Sequence, residues 1–214
     1  MAKTSDTGPA AVSLDEAVRA IRVSSRRRQV LDAAVTVMQH TGFHQMSMQA
    51  LADEAKVSVG LIYKYFGGKE DILLATIVDI LDAFRDQLEP AMDAVGEDPV
   101  ARLSAVFRRY VEIVDENLDA VVLTYRESRT LDQEGREKIK QLEVESSRPL
   151  RDALTAGISA GVFREVDVDL VAFDLMLVAH GWALKHWHFA PMYTVEQYIA
   201  AQTDLMLRSL LAHP

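Results

Sequence analysis

Along most of this chain the apolar residues recur three and four positions apart, as in Val30, Ala33, Ala34, Val37 and Met38. That spacing gathers side chains along one side of a helix, whereas a half-buried strand needs a period of two. After Pro99 no alternating run of useful length interrupts the pattern. Such a sequence buries its apolar surface by packing helix on helix, so the fold class is all-α. With 49% hydrophobic residues, only ten Gly and six Pro, 214 residues suffice for a sizeable core.

The punctuation divides the helices. Residues 1 to 12 are small and polar and are expected to form a flexible tail, and residues 13 to 23 a short helix. The first firm helix is expected over 25–41, stopped by Gly42, with Phe43 folding back onto its apolar side. Ser47 is placed to cap a second helix, with Met48, Leu51, Ala52 and Ala55 inward. Ser58 caps a third after a turn at 55–57. Two short helices across so tight a turn make a helix-turn-helix. Gly67 and Gly68 precede a longer helix over 69–94; further helices are expected over 100–117, 119–130, 134–160, 168–189 and 195–212. The expected organisation is a flexible extension over 1–23, a three-helix unit carrying the helix-turn-helix over 24–70, and a C-terminal helical bundle over 71–214.

Charge is distributed unevenly. The chain carries 32 acidic and 23 basic side chains. Yet from Arg19 to Lys69 eight basic residues face three acidic ones, a local balance of +5, while residues 73–214 balance at −10. Fields in physiological salt fade over about 8 Å, so a partner responds to the local balance. Within 58–66, Ile62 and Phe66 turn inward with Val57, leaving Val59, Gly60, Leu61, Tyr63, Lys64 and Tyr65 outward or at the rim. So much exposed apolar surface suits a face that enters a groove. Lys64 is a donor for guanine or phosphate, Val59 and Leu61 can touch a thymine methyl, and Gly60 permits close approach. Lys69 opens a helix, where the dipole disfavours a cation; a phosphate bound there would interact with both the lysine and the free N–H groups.

Ser47-Met48, Leu51-Ala52, Ala55, Val57-Ser58, Gly60, Ile62-Tyr63, Tyr65-Phe66 and Lys69-Glu70 together resemble the DNA-binding signature of the TetR family of bacterial transcriptional regulators. The match is dense from Val30 to Leu73; the stretch GISAGVFREVDVDL at 157–170 also looks like the family's usual junction. The resemblance implies a homodimer on a palindromic operator in double-stranded DNA, released by a small-molecule inducer. It places Ser47, Tyr63, Tyr65 and Lys69 on phosphates and Val59, Gly60, Leu61 and Lys64 against bases, with Tyr63 serving both roles; Ser58 belongs to the same surface. Arg26, Arg27 and Arg28 are candidates for the DNA backbone or minor groove. Lys56 departs from the family's common turn glycine, and Gly68 from its usual capping side chain.

One recognition helix reads few base pairs, so two are needed about 34–36 Å apart, which a twofold dimer supplies. The expected dimer surface is Phe173, Met176, Ala179, His180, Ala183 and Trp187 on one helix, with Tyr198, Leu205, Met206 and Leu210 on the last. Phe107, Tyr110, Val114, Leu123, Tyr125, Met176, His180 and Trp182 are the candidate walls of a ligand cavity, and their character favours a mainly apolar inducer. TYRESR and AHGWALKHW are similar to acyl-CoA-responsive members of the family. Without cysteine there are no disulfides or thiolate metal sites; His180, His186 and His188 are spaced to point apart, so neither metal nor cofactor is expected. No signal peptide or apolar span is evident, which points to the cytoplasm and away from membranes. No nucleophile elbow, P-loop or dinucleotide-binding glycine motif suggests an enzyme. An enzyme, or a helical partner-binding protein that does not bind an operator, is the alternative reading.

Overall fold

The computed structural model describes residues 14–212, and eleven α-helices account for most of them. The expected flexible tail over 1–12 lies outside the described residues. Helix α1 (Leu14–Thr41) is continuous, where two pieces were expected. Neither Gly nor Pro separates Val23 from Arg26, so nothing breaks the backbone ladder there. Gly42, at φ 78°, ends the helix and donates its N–H to Met38 O at 2.8 Å.

Helices α2 (Met48–Glu54) and α3 (Val59–Tyr65) begin as their serines dictate: Ser47 Oγ accepts from Ala50 N at 3.0 Å and Ser58 Oγ from Leu61 N at 3.2 Å. The turn between them places Lys56 at φ 52°, the left-handed region that favours glycine. Gln29 of α1 secures this turn by donating to Ala55 O at 2.7 Å. Val30, Ala34, Met38, Phe43, Leu51, Ala52, Ile62 and Phe66 close the small core beneath the three helices.

Helix α4 (Lys69–Asp93) starts at Gly68 without a side-chain cap and packs against α1 on one side and α5 (Pro99–Glu116) on the other. Its buried row Ile72, Ile77, Ile80, Phe84 and Leu88 therefore belongs to both cores. Helix α6 (Leu118–Glu127) ends in a 3-10 turn over Ser128–Thr130. The helix expected over 134–160 is two, α7 (Gln133–Ser146) and α8 (Arg148–Ser159). Pro149 explains the break: it has no N–H for the ladder, and its ring would clash with the preceding turn. Gly157 of α8 lies against the Phe163 ring so closely that a Cβ would sit 2.0 Å from it.

Helix α9 (Val168–Leu184) stops before α10 (His186–Phe189), because Lys185 leaves helical geometry at φ −123°, ψ 27°. The bend lets His186 and Phe189 pack with Trp182 and Tyr198, at ring separations of 5.1 Å for Trp182–His186 and for Phe189–Tyr198. Helix α11 (Val195–Leu210) opens with a reciprocal cap between Thr194 and Gln197 and packs on α5. Among the described residues no helix is long and apolar enough to cross a membrane.

Candidate nucleic-acid interface and its control

Ile62 and Phe66 anchor α3 to the small core, leaving Gly60, Tyr63 and Lys64 exposed along its opposite face. These positions are three and four apart, so they form a single stripe. Tyr63 stands 54% exposed although it is a large aromatic, and a Cβ at Gly60 would meet nothing within 4 Å. Val59, Leu61 and Tyr65 are half-buried at the rim, as expected. Ser47 and Ser58 are exposed; each spends an oxygen lone pair on its cap and keeps its O–H to donate.

The cations differ in how free they are. Lys64 has no hydrogen bond or ion pair among the described residues. Lys69 is turned away from the N-terminus of its helix: its Nζ donates to His44 O at 3.1 Å and Met46 O at 2.9 Å and lies 5.5 Å from the Phe43 ring centre. It straps α4 to the α1–α2 loop, which leaves one ammonium proton for another partner. Arg26 donates to Gln29 Oε1 at 2.7 Å, and the Arg27 guanidinium lies over the Phe66 ring. Arg28 pairs with Asp79 of α4 at 2.7 Å, so its charge links two helices.

Seven of the eight expected cavity walls are buried: Phe107, Tyr110, Val114, Leu123, Met176, His180 and Trp182. They fill the interior of the bundle. His180 lies between two phenols, with Tyr110 Oη 3.1 Å from Nε2 and Tyr125 Oη 2.8 Å from Nδ1. Burial lowers its pKa to about 4, so the ring is neutral and one tyrosine donates while the other accepts. Burial raises the Tyr110 phenol far above its ordinary value, and Phe84 stacks on its ring at 4.1 Å. Trp182 is not part of this group: it donates to Asp115 Oδ1 at 2.7 Å and packs with Tyr198.

Tyr125 is the exposed member, and its outer side borders a cleft of about 270 Å³ with Arg129, Arg136, Lys140 and Glu143. Sequence reasoning missed these cations because it sought only apolar walls. It also missed Arg126, which pairs with Glu127 at 2.8 Å and donates to Met38 O at 2.8 Å, joining α6 to the end of α1.

The expected dimer surface needs correction. Met176, Ala179, His180, Ala183, Tyr198, Met206 and Leu210 face this chain's own core. The apolar residues that α9 and α11 turn outward are Leu170, Phe173, Leu177 and Leu205, with Trp187 of α10. Only Phe173, Trp187 and Leu205 of the expected set belong to that surface.

Comparison with known proteins agrees with this architecture. The family described as bacterial regulatory proteins, tetR family, matches residues 30–76, and the tetracyclin repressor-like C-terminal domain matches residues 96–210. The HTH-type transcriptional regulator HbdR of Aromatoleum is 33% identical over 189 residues, 88% of this chain and 82% of that protein. Two solved structures share the fold. FadR of Bacillus subtilis, in complex with stearoyl-CoA, superposes with a TM-score of 0.73 at 24% identity over 87% of this chain and 99% of that one. AibR, in complex with isovaleryl coenzyme A and operator DNA, gives 0.71 at 24% identity over 84% and 97%. This chain belongs to the TetR family of bacterial transcriptional regulators.

Proposed function

We propose that this protein is a cytoplasmic repressor that binds a palindromic operator as a homodimer and leaves it when a mainly apolar ligand, an acyl-CoA, occupies the bundle. The observation that carries the reading is the exposed Gly60–Tyr63–Lys64 stripe on a helix fixed from behind by Ile62 and Phe66. Lys64 reads guanine, Val59 and Leu61 meet thymine methyls, and Gly60 lets the backbone approach the base edges. Ser47, Ser58, Tyr63 and Tyr65 donate to phosphates and fix the register. Arg26 and Arg27 add backbone or minor-groove contacts, and Lys69 offers its remaining proton to a phosphate while holding the loop. The domain division follows: residues 24–70 contact DNA, and 71–214 bind ligand and pair.

Pairing uses the outward apolar residues of α9 and α11, since four helices from two copies would cover them. Ligand acts by differential affinity for two states that differ in the tilt of α4 and hence in the separation of the two α3 helices. FadR and AibR, solved with acyl-CoA ligands on this fold, support the ligand class.

Selection of genomic fragments by the purified protein, followed by addition of acyl-CoAs of increasing chain length, tests the reading. A palindrome with half-sites about one helical turn apart, or a multiple of it, is the expected product, and at least one acyl-CoA releases it. Recovery of no common sequence contradicts operator binding, and a complex indifferent to every acyl-CoA contradicts the ligand class.

A further inference from the structure

The cleft beside Tyr125 is anomalous in its charge. It lies within a region whose balance is −10, yet three cations border it and Glu143 is the one carboxylate among its lining residues. Elsewhere in this region several arginines are neutralised at close range: Arg102 by Asp93, Arg109 by Glu112 and Glu116, Arg148 by Glu89, and Arg151 by Asp169. At the cleft, Arg129 makes no hydrogen bond or ion pair among the described residues. Arg136 donates to the backbone carbonyl of Leu131, which carries no formal charge. Lys140 pairs only with Glu137, at 2.7 Å, and both side chains are more than half exposed. An exposed pair of this kind is worth little, so Lys140 can exchange Glu137 for an anionic ligand at small cost.

The inner end of the cleft leads somewhere unusual. Tyr125 borders it, and the Oη of Tyr125 continues through His180 to Tyr110, whose side chain is fully buried among the aromatic and aliphatic residues of α4, α5 and α9. Polar groups inside an apolar core are costly unless paired, and these pair with one another. A cationic rim, a hydrogen-bonded run of three polar side chains and an apolar interior thus follow in sequence. An amphiphile with a polyanionic head, a polar link and an apolar tail has the same order.

We propose that Arg129, Arg136 and Lys140 hold the phosphate-bearing head of an acyl thioester at this cleft, and that its carbonyl and tail enter the bundle where the Tyr125 side chain gives way. The cleft's volume of about 270 Å³ is below the ~300–1,000 Å³ of ordinary ligand pockets, so it accommodates phosphates and the neck while the tail requires displacement of Tyr125. Burial raises the Glu143 carboxyl above its ordinary value, which favours its neutral form and weakens its repulsion of an anion.

The inference rests on the acyl-thioester reading, so its test separates the two. Acyl-CoAs from acetyl to stearoyl, and the matching free fatty acids, are titrated against the full chain and against the double variant Arg129→Ala/Lys140→Ala. Both substitutions are at exposed side chains with no buried partner, and Arg136 is left intact because it supports the Leu131 turn. The variant is expected to bind acyl-CoA at least about ten-fold more weakly at physiological salt, as loss of two charge-assisted phosphate contacts requires. Its affinities for fatty acids and for the operator without ligand are expected to be unchanged. Equal acyl-CoA affinity in the two proteins overturns the head-group site and leaves the ligand class standing. A wild-type chain that binds none of the series overturns both.

Discussion

Replacing Lys69 by methionine keeps most of the aliphatic stem and deletes the ammonium that reaches back to the α1–α2 loop. Two charge-assisted hydrogen bonds are lost, to Met46 O at 2.9 Å in a half-buried setting and to His44 O at 3.1 Å nearer solvent. Buried bonds of this type contribute about 1.5–3 kcal/mol each, and solvent exposure reduces that to about 1 kcal/mol apiece here. Loss of the cation over Phe43 adds about 0.5 kcal/mol, so roughly 2.5 kcal/mol of local stability is at stake. The assay must report on α2 and α3, and both tryptophans lie far along the chain at Trp182 and Trp187. Amide hydrogen exchange of residues 48–66 is suitable: roughly 2.5 kcal/mol corresponds to about a seventy-fold loss of protection there, with α9 unaffected. Lys69→Arg, which retains the charge, is expected to restore part of the protection. If protection in Lys69→Met is unchanged while operator affinity falls, the strap is wrong and Lys69 serves DNA alone.

The sequence made the first three helices legible in detail because short polar signals govern them. Ser47 and Ser58 cap where expected, Gly42 stops α1, and Ile62 and Phe66 bury. Lys69 was legible as a residue out of place at a helix start, but its partners are carbonyls 23 and 25 residues back, and no local pattern encodes such a contact. Helix α9 shows the opposite limit. It is apolar nearly all round, so periodicity cannot distinguish the side that faces this core from the side that faces outward. The expected surface accordingly mixed Phe173, which is exposed, with Met176 and Ala183, which are not. The Tyr110–His180–Tyr125 arrangement joins three helices, and its members were singled out as cavity walls, with His180 also placed on the dimer surface, but not as hydrogen-bond partners of one another.

Further outcomes follow from particular side chains. His180 stays neutral when folded until about pH 4, whereas an unfolded imidazole takes its proton near 6.5; the unfolded state binds more protons across that window, so stability falls as pH falls. About 2 kcal/mol is lost from this group between pH 8 and pH 5, and urea unfolding of His180→Gln should lack that increment. The comparison at one position also isolates it from Glu143, whose raised pKa acts in the opposite direction. Leu177→Glu places a charge among the outward apolar residues of α9 and is expected to give monomers in sedimentation; an unchanged dimer would locate pairing elsewhere. Lys56→Gly relieves a left-handed backbone at φ 52° and should stabilise the first three helices by about 0.5–1 kcal/mol in hydrogen exchange, net of the entropy of the added glycine.

The central claim is that the outward face of α3 reads DNA. Fluorescence anisotropy on the selected palindrome, comparing the wild-type protein with Tyr63→Ala/Lys64→Ala, tests it most directly. Both side chains are exposed, so the variant should fold and pair normally. Operator affinity is predicted to fall at least about a hundred-fold, as loss of one base contact and one phosphate contact in each of two half-sites requires. Affinity within about two-fold of wild type would contradict the account.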